Sequence, residues 1–132
     1  MVRAMRYAFL SDEWFARVDE LIAAAGDLQI PAPMKAAEIN VTIVAPGGET
    51  QLLMKDGLFS RGHQEGVTTR LTLGVDLARR IFVDGDVGAG VQAFLAGEIK
   101  VEGDLAAVVA MQTTMPSEPQ KRLTRQIADI TA

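Results

Sequence analysis

Reactive side chains are few in this chain of 132 residues, and their spacing limits the chemistry that the chain could perform. There is one histidine, His63, and no cysteine, so a Cys–His nucleophile is excluded and a Ser–His–Asp triad would have to use His63. No nucleophile-elbow motif accompanies it. A single histidine with scattered carboxylates also lacks the ligand spacing of zinc or calcium sites. The sequence therefore predicts no catalytic residue, no metal site and no cofactor.

Four aspartates and one glycine-rich segment are the other candidates for chemistry. Asp76, Asp84, Asp86 and Asp104 could pair for acid–base work, but three of them stand where helix caps or turns are expected. The segment 85–90 has the sequence Gly-Asp-Val-Gly-Ala-Gly, which is not G-x-G-x-x-G and lacks the Lys-Ser/Thr of a phosphate loop. It also joins two helical patterns instead of following a strand. We therefore predict a helix–helix turn with small residues for close packing.

The elements that would position any site are clearest in the stretch 94–112, where the sequence period changes twice. Gly97 can end a helix in a left-handed conformation. Residues 98–102 alternate charged and apolar side chains and predict a strand. Asp104 is a good N-cap, and residues 105–111 form an unbroken apolar run that predicts a helix. A helix that is apolar on nearly all sides must be covered on nearly all sides, as core or as the wall of an apolar space.

The same kinds of periodicity predict the elements in the rest of the chain. Together they are expected to form a single domain, 1–132. Residues 1–10 have no clear period and are treated as an N-terminal tail, and Pro31 and Pro33 mark a connection. Asp56-Gly57 is a strong hairpin signal. The predicted order is α-β-β-β-β-α-α-β-α-α. Besides the stretch above, the predicted elements are helices at 12–25, 76–82, 87–95 and 117–130 and strands at 39–44, 51–55, 58–61 and 67–73.

Composition limits the partners and the location. Apolar residues make up 48% of the chain but aromatic residues only 5%, and the six methionines add pliable apolar surface. The net charge of −4, from 17 acidic and 13 basic residues, argues against nucleic acid as a partner. The longest apolar run is far too short to span a membrane, and the apolar stretch in the first ten residues is too brief for the signal peptide pattern, so none is expected. With no cysteine, a soluble cytoplasmic protein without membrane insertion is expected.

The stretch 94–112 also carries a family resemblance. Its pattern, F-x-x-G-x-I-K-V-x-G-D-L-x-x-x-x-x-x-Q, resembles the signature of the sterol carrier protein 2 domain, a small lipid-binding module. Leu71-Thr72-Leu73, then Asp76-Leu77 and the span to Gly85, resemble the strand and two helices that precede this signature in the family. The similarity covers Ser11 to Gln112. The glycine-rich segment 88–90 and the charged final helix depart from the better-known members.

The resemblance implies an α+β fold with a single five-stranded, mostly antiparallel mixed sheet, covered by about five helices and enclosing an apolar cavity. It implies non-enzymatic binding or carriage of an apolar lipid, such as a fatty acid, an acyl-CoA or a sterol-like ligand. The cavity side chains that match the family pattern are Phe94, Leu95, Val108, Met111 and Gln112. Others are candidates by their position on apolar faces: Trp14, Val18, Ile22, Phe82, Val91, Leu105 and Met115.

Two further interpretations stay open from the sequence. The sequence predicts more apolar helix faces than one sheet can cover. These faces could enclose a cavity, but they could also pack into a filled core, because protein interiors normally pack without voids. The chain would then be a structural or regulatory module that forms a homodimer through its apolar helices and binds no ligand. The third interpretation is an accessory or catalytic role on an apolar metabolite, centred on His63.

Overall fold

The computed structural model describes residues 6–132, except for the side chains of Val87 and Gln112. Six helices and five strands follow one another along this part of the chain. Their order is α1 (Asp12–Ala25), α2 (Ala32–Ala36), β1 (Ile39–Ala45), β2 (Gly48–Lys55), β3 (Leu58–Arg61), β4 (Arg70–Gly74), α3 (Val75–Phe82), α4 (Val87–Leu95), β5 (Lys100–Glu102), α5 (Leu105–Thr113) and α6 (Glu118–Asp129).

The strands form one mixed sheet in the order β3-β2-β1-β4-β5. The first three strands are an antiparallel meander, and Asp56 and Gly57 form the predicted two-residue turn between β2 and β3. Both turn residues have positive φ, 55° and 75°, which is the geometry that matches the twist of a hairpin. β4 pairs parallel to β1 and antiparallel to β5, so the sheet is mixed and mostly antiparallel. The predicted α+β fold with a five-stranded sheet is confirmed.

The core lies on one face of this sheet. Val41 pairs with Leu52 on one side and with Leu71 on the other, and these three side chains are 0%, 1% and 5% exposed. On the opposite face, Thr42 and its neighbour Gln51 remain at least partly accessible. The helices contribute buried side chains to the same core, among them Trp14, Ala78, Ala93, Val108 and Leu123. The fold is therefore a sheet with its helices packed against one face.

Four helices begin at a side-chain cap, and one of these, Asp104, is an N-cap that the sequence predicted. Ser11 Oγ accepts the backbone N–H of Trp14 at 3.2 Å, and Asp86 Oδ1 and Asp104 Oδ1 each accept an N–H three residues further on, at 3.0 Å. Ser117 forms a complete capping box with Gln120. Two of the aspartates considered for acid–base work are thus helix caps.

Several elements differ from the predictions, and the second strand, for example, begins at Gly48 instead of residue 51. Pro31 and Pro33 open the short helix α2, which the sequence analysis treated as a plain connection; proline is well tolerated in a first helical turn because its missing N–H has no helical partner there. The fourth strand begins at Arg70 instead of residue 67, since Val67 N–H donates to Gln64 O in a turn. The fifth strand begins at Lys100 instead of residue 98.

The expectation that the apolar helix after Asp104 is covered on nearly all sides is wrong. Val108 is fully buried, but Leu105 and Val109 are 49% and 39% exposed. The physical reason is the position of α5. It follows β5 at the edge of the sheet and packs mainly against α2 and α4, so that only one stripe of the helix faces the interior.

The described part of the predicted N-terminal tail is tied to the C-terminus. Tyr7 N–H donates to Ile130 O at 2.7 Å, and Ala132 N–H donates to Tyr7 O at 2.8 Å. Residues 1–5 of the predicted tail lie outside the described residues. These bonds hold Tyr7 beside the last turn of α6 and the residues that follow it.

We expect Gly88→Ala to stabilise the protein. Gly88 lies in the first turn of α4 without a positive φ, and an added Cβ would meet only Asp86 Oδ1, at 3.5 Å. Alanine there should raise the free energy of unfolding by about 0.5–1 kcal/mol, because it restricts the unfolded chain. Thermal unfolding followed by circular dichroism should show a rise of roughly 2–5 °C. An unchanged or lower melting temperature would contradict a helical conformation at this residue.

Candidate functional site

A pocket of about 410 Å³ lies between the sheet and the helices near the turn from β2 to β3. Its sheet side is formed by Met54 of β2, Phe59 of β3, and Leu71 and Leu73 of β4. Its helical side is formed by apolar side chains from five of the helices: Ile22, Met34, Ile81, Phe82, Met111, Leu123 and Ile127. A volume of this size lies in the range of small-molecule sites, which are mostly apolar with few polar groups.

α6 forms a wall of the pocket that is anchored at both ends. At its N-terminus, Ser117 Oγ donates to the carbonyl oxygen of Leu28, which also lines the pocket. At its C-terminal end, the indole Nε1–H of Trp14 donates to Thr131 Oγ1 at 2.9 Å in the buried core. Between these anchors, Leu123 and Ile127 face inward one turn apart.

The turn between α3 and α4 borders the pocket beside α6. A Cβ on Gly85 would lie 3.1 Å from Thr124 Cγ2, and Gly85 has a φ of 67°, so glycine permits both the close approach and the conformation. Phe82, just before this turn, packs against Phe59 of β3 with ring centroids 5.4 Å apart. Gly85 and Asp86 thus lie in a close-packed helix–helix turn, as predicted, whereas residues 87–90 of the segment already belong to α4. Gly85 and Gly90 line the pocket.

Methionine contributes to three parts of the lining. Met34, Met54 and Met111 come from α2, β2 and α5. Met34 Sδ accepts a hydrogen bond from Gln120 Nε2 at 3.5 Å, which links α2 to α6 across the pocket border. Because methionine has three rotatable bonds and no branch, these side chains can adjust to occupants of different shape.

The structure brings three of the predicted site residues to the pocket: Ile22, Phe82 and Met111. Three others are core residues beneath it, since Trp14, Val18 and Val108 are at most 1% exposed and do not line the space. Val91 and Phe94 are partly buried and also lie outside the lining. The remaining described candidates, Leu95, Leu105 and Met115, are 78%, 49% and 74% exposed. The side chain of Gln112 is outside the described part of the structure.

The orientation of α4 about its own axis explains why Val91 and Leu95 do not line the pocket. The inward face of this helix consists of Ala89, Gly90 and Ala93, and Gly90 lies against Ile81 of α3. Small residues allow the two helices to approach closely, which turns the larger side chains outward. The sequence analysis predicted that the face with the bulky apolar residues of α4 points inward, because bulky apolar residues count more than alanine and glycine in an apolar pattern.

Sequence reasoning missed the sheet side of the pocket and the inward face of α6. Leu71 and Leu73 lie in the predicted strand 67–73, and Leu123 and Ile127 lie in the predicted helix 117–130, but none was proposed as a site residue. Met54 stands two residues after Leu52 and shares its face of β2, but the unbroken apolar run 52–54 does not indicate which face of the strand is buried. The place of α6 beside the pocket depends on the contacts of Ser117 and Thr131, which no local pattern indicates.

His63 lies on the other side of the sheet from the pocket. Its Nε2 is 2.8 Å from the carbonyl oxygen of Val41 and 3.5 Å from Thr42 Oγ1, on the face away from the core. In the described part of the chain, no group of three or more histidine, aspartate or glutamate side chains is arranged to hold a metal ion. His63 thus acts as a local partner of strand β1.

If the pocket binds a lipid, His63→Ala should leave the affinity within about threefold of that of the unchanged protein, because a lost exposed hydrogen bond costs on the order of 1 kcal/mol of stability and touches no pocket residue. Titration of both proteins with the same fluorescent fatty acid measures this. A tenfold loss of affinity, or loss of a turnover found by substrate screening, would instead favour a role for His63 in chemistry.

Solved structures resemble this fold. The crystal structure of sterol carrier protein 2 like 2 from Aedes aegypti matches with a TM-score of 0.55 and 16% identity, over 78% of this chain and 97% of that chain. Apo sterol carrier protein 2 from Yarrowia lipolytica has a TM-score of 0.45 and 19% identity, over 77% and 76%. A protein from Thermus thermophilus, described as possibly a sterol carrier protein, has a TM-score of 0.49 and 10% identity, over 98% and 96%.

No family model and no curated protein matches the sequence. The likeness to the Aedes aegypti structure confirms the predicted resemblance at the level of the fold. In the described residues, no helix is both long enough and apolar enough to cross a membrane.

Proposed function

We propose that this protein binds a long-chain lipid in the pocket between the sheet and α6, without chemical change to the ligand. The observation that carries the proposal is the apolar lining on both sides of a space of about 410 Å³, from core-facing strand residues such as Leu71 and from helix residues such as Leu123. The fold likeness supports it, because the similar Aedes aegypti protein bears the name of a sterol carrier. Fatty acids, acyl-CoA and sterol-like molecules are the candidate ligands.

The expected affinity follows from the apolar area that a lipid would bury. A sixteen-carbon chain gains about 12–13 kcal/mol, at roughly 0.8 kcal/mol per methylene. Association and ordering cost on the order of 4–15 kcal/mol, which brings a dissociation constant near micromolar within reach. Titration of delipidated protein with a fluorescent fatty acid tests the proposal. We expect saturable binding with one site per chain; absence of saturation at tens of micromolar, on protein shown to be folded, would contradict it.

Exposed apolar side chains favour a second candidate, the homodimeric module. Leu105 and Val109 of α5 are exposed, as are Leu95 and Met115 near the ends of α4 and α5. A standard interface buries about 800 Å² per partner, so a contact limited to these side chains would be weak and concentration-dependent. Sedimentation velocity over a hundredfold concentration range tests this candidate: a shift from monomer to dimer supports it, and a constant monomer contradicts it.

A further inference from the structure

Positive charge gathers at the border of the pocket. α6 places Lys121 and Arg125 there, four residues apart and therefore neighbours on the helix surface, and Lys55 lines the pocket from β2. Asp84 is the one carboxylate among the described lining residues. The whole chain has the opposite balance, with 17 acidic and 13 basic residues. The charge at the pocket border thus differs in sign from that of the protein.

These cations are available to a ligand. Lys121 Nζ lies 3.4 Å from Glu118 Oε1, but this pair is solvent-exposed and lies within one helical turn, and such pairs are weak and easily exchanged. In the part of the chain that the structure describes, no carboxylate oxygen lies within 4.0 Å of a side-chain nitrogen of Arg125 or Lys55. Inward of Lys121 and Arg125 on the same helix are the apolar side chains of Leu123 and Ile127.

We infer that the pocket selects a single-chain lipid with an anionic carboxylate head, bound so that the head meets Lys121 and Arg125 and the chain lies among the apolar residues. This rests on the proposed function and names its ligand class. Ammonium and guanidinium groups bind carboxylates by charge-assisted hydrogen bonds, which are stronger than neutral ones. An alcohol of the same chain length gains the same apolar burial but lacks the charge. Lys121 and Arg125 are therefore determinants of specificity.

The test compares laurate with dodecanol, two ligands of equal chain length, by displacement of a fluorescent neutral lipid. The variant Lys121→Gln/Arg125→Gln removes both cations. The control Lys100→Gln/Arg122→Gln removes the same number of charges from exposed residues that do not line the pocket. We expect the unchanged protein and the control to bind laurate about tenfold more tightly than dodecanol at low salt. The Lys121/Arg125 variant should lose this preference while its dodecanol affinity stays the same.

The outcomes separate this inference from the proposed function. Equal binding of laurate and dodecanol by the unchanged protein would overturn the charge selection and leave lipid binding intact. If the Lys121/Arg125 variant still prefers laurate over dodecanol, or if the control loses this preference to the same extent, Lys121 and Arg125 are not the residues that select the carboxylate. If neither ligand displaces the probe from folded protein, the proposed function fails and this inference fails with it.

Discussion

Met111→Trp is expected to weaken lipid binding by at least about tenfold while leaving the melting temperature nearly unchanged. Met111 lines the pocket from α5 and is partly buried, so a larger ring can extend into the space that a lipid chain would fill. If the ring keeps two methylenes of the lipid chain out of the pocket, the binding free energy falls by about 1.6 kcal/mol. This raises the dissociation constant by slightly more than a factor of ten. Thermal unfolding and fluorescent fatty-acid titration on the same preparation measure both effects.

Met115→Trp is the matched control for this substitution. Met115 lies four residues further along the chain, is 74% exposed and does not line the pocket, so its replacement should change neither binding nor stability. If the interior around Met111 is filled instead of open, Met111→Trp is overpacking and costs typically about 1–3 kcal/mol. A clear thermal loss with unchanged ligand affinity would therefore contradict the open pocket at this residue.

Trp14→Ala should produce the largest loss of stability, about 3–5 kcal/mol. Trp14 is fully buried, and its ring packs against Phe9, Phe15 and Phe59 with centroids 5.0, 5.1 and 6.0 Å away. Its removal leaves a cavity and takes from Thr131 the indole N–H that ties α1 to the end of α6. The melting temperature should fall by roughly 10–20 °C, measured by far-UV circular dichroism.

Trp14→Phe separates the two contributions of this residue. Phenylalanine keeps most of the aromatic volume but cannot donate to Thr131 Oγ1, so the loss should be clearly smaller than for alanine. A loss below about 1 kcal/mol for Trp14→Ala would mean that the site collapses around the missing ring, and that Trp14 does not organise the contact between α1 and α6.

The elements of this fold could be predicted because their signals are local. Asp56-Gly57 fixes a two-residue hairpin, and Ser117 with Gln120 fixes the start of α6 whatever surrounds them. The prediction that α5 is covered on nearly all sides failed because tertiary position decides exposure. Leu105 and Val109 are apolar yet exposed because α5 lies beside the edge strand, a fact that no helical periodicity contains.

The pocket was less predictable than the fold because it is built from residues distant in sequence. Ile22, Phe82 and Met111 meet there only because the sheet and α6 bring their elements together. α4 presents Ala93 inward and Leu95 outward, since close helix packing favours small side chains over large ones at this contact. The motif 94–112 indicated the right fold and did not indicate which of its side chains line the space.

Native mass spectrometry of delipidated protein incubated with a fatty acid tests the central claim most directly, with Met111→Trp as the blocked comparison. The claim is that the space beside Leu71, Met111 and Leu123 accepts a lipid chain. We expect the unchanged protein to gain the mass of one fatty acid and Met111→Trp to retain much less under the same conditions. A mass that stays at that of the lipid-free chain, for protein that remains folded, would contradict the claim.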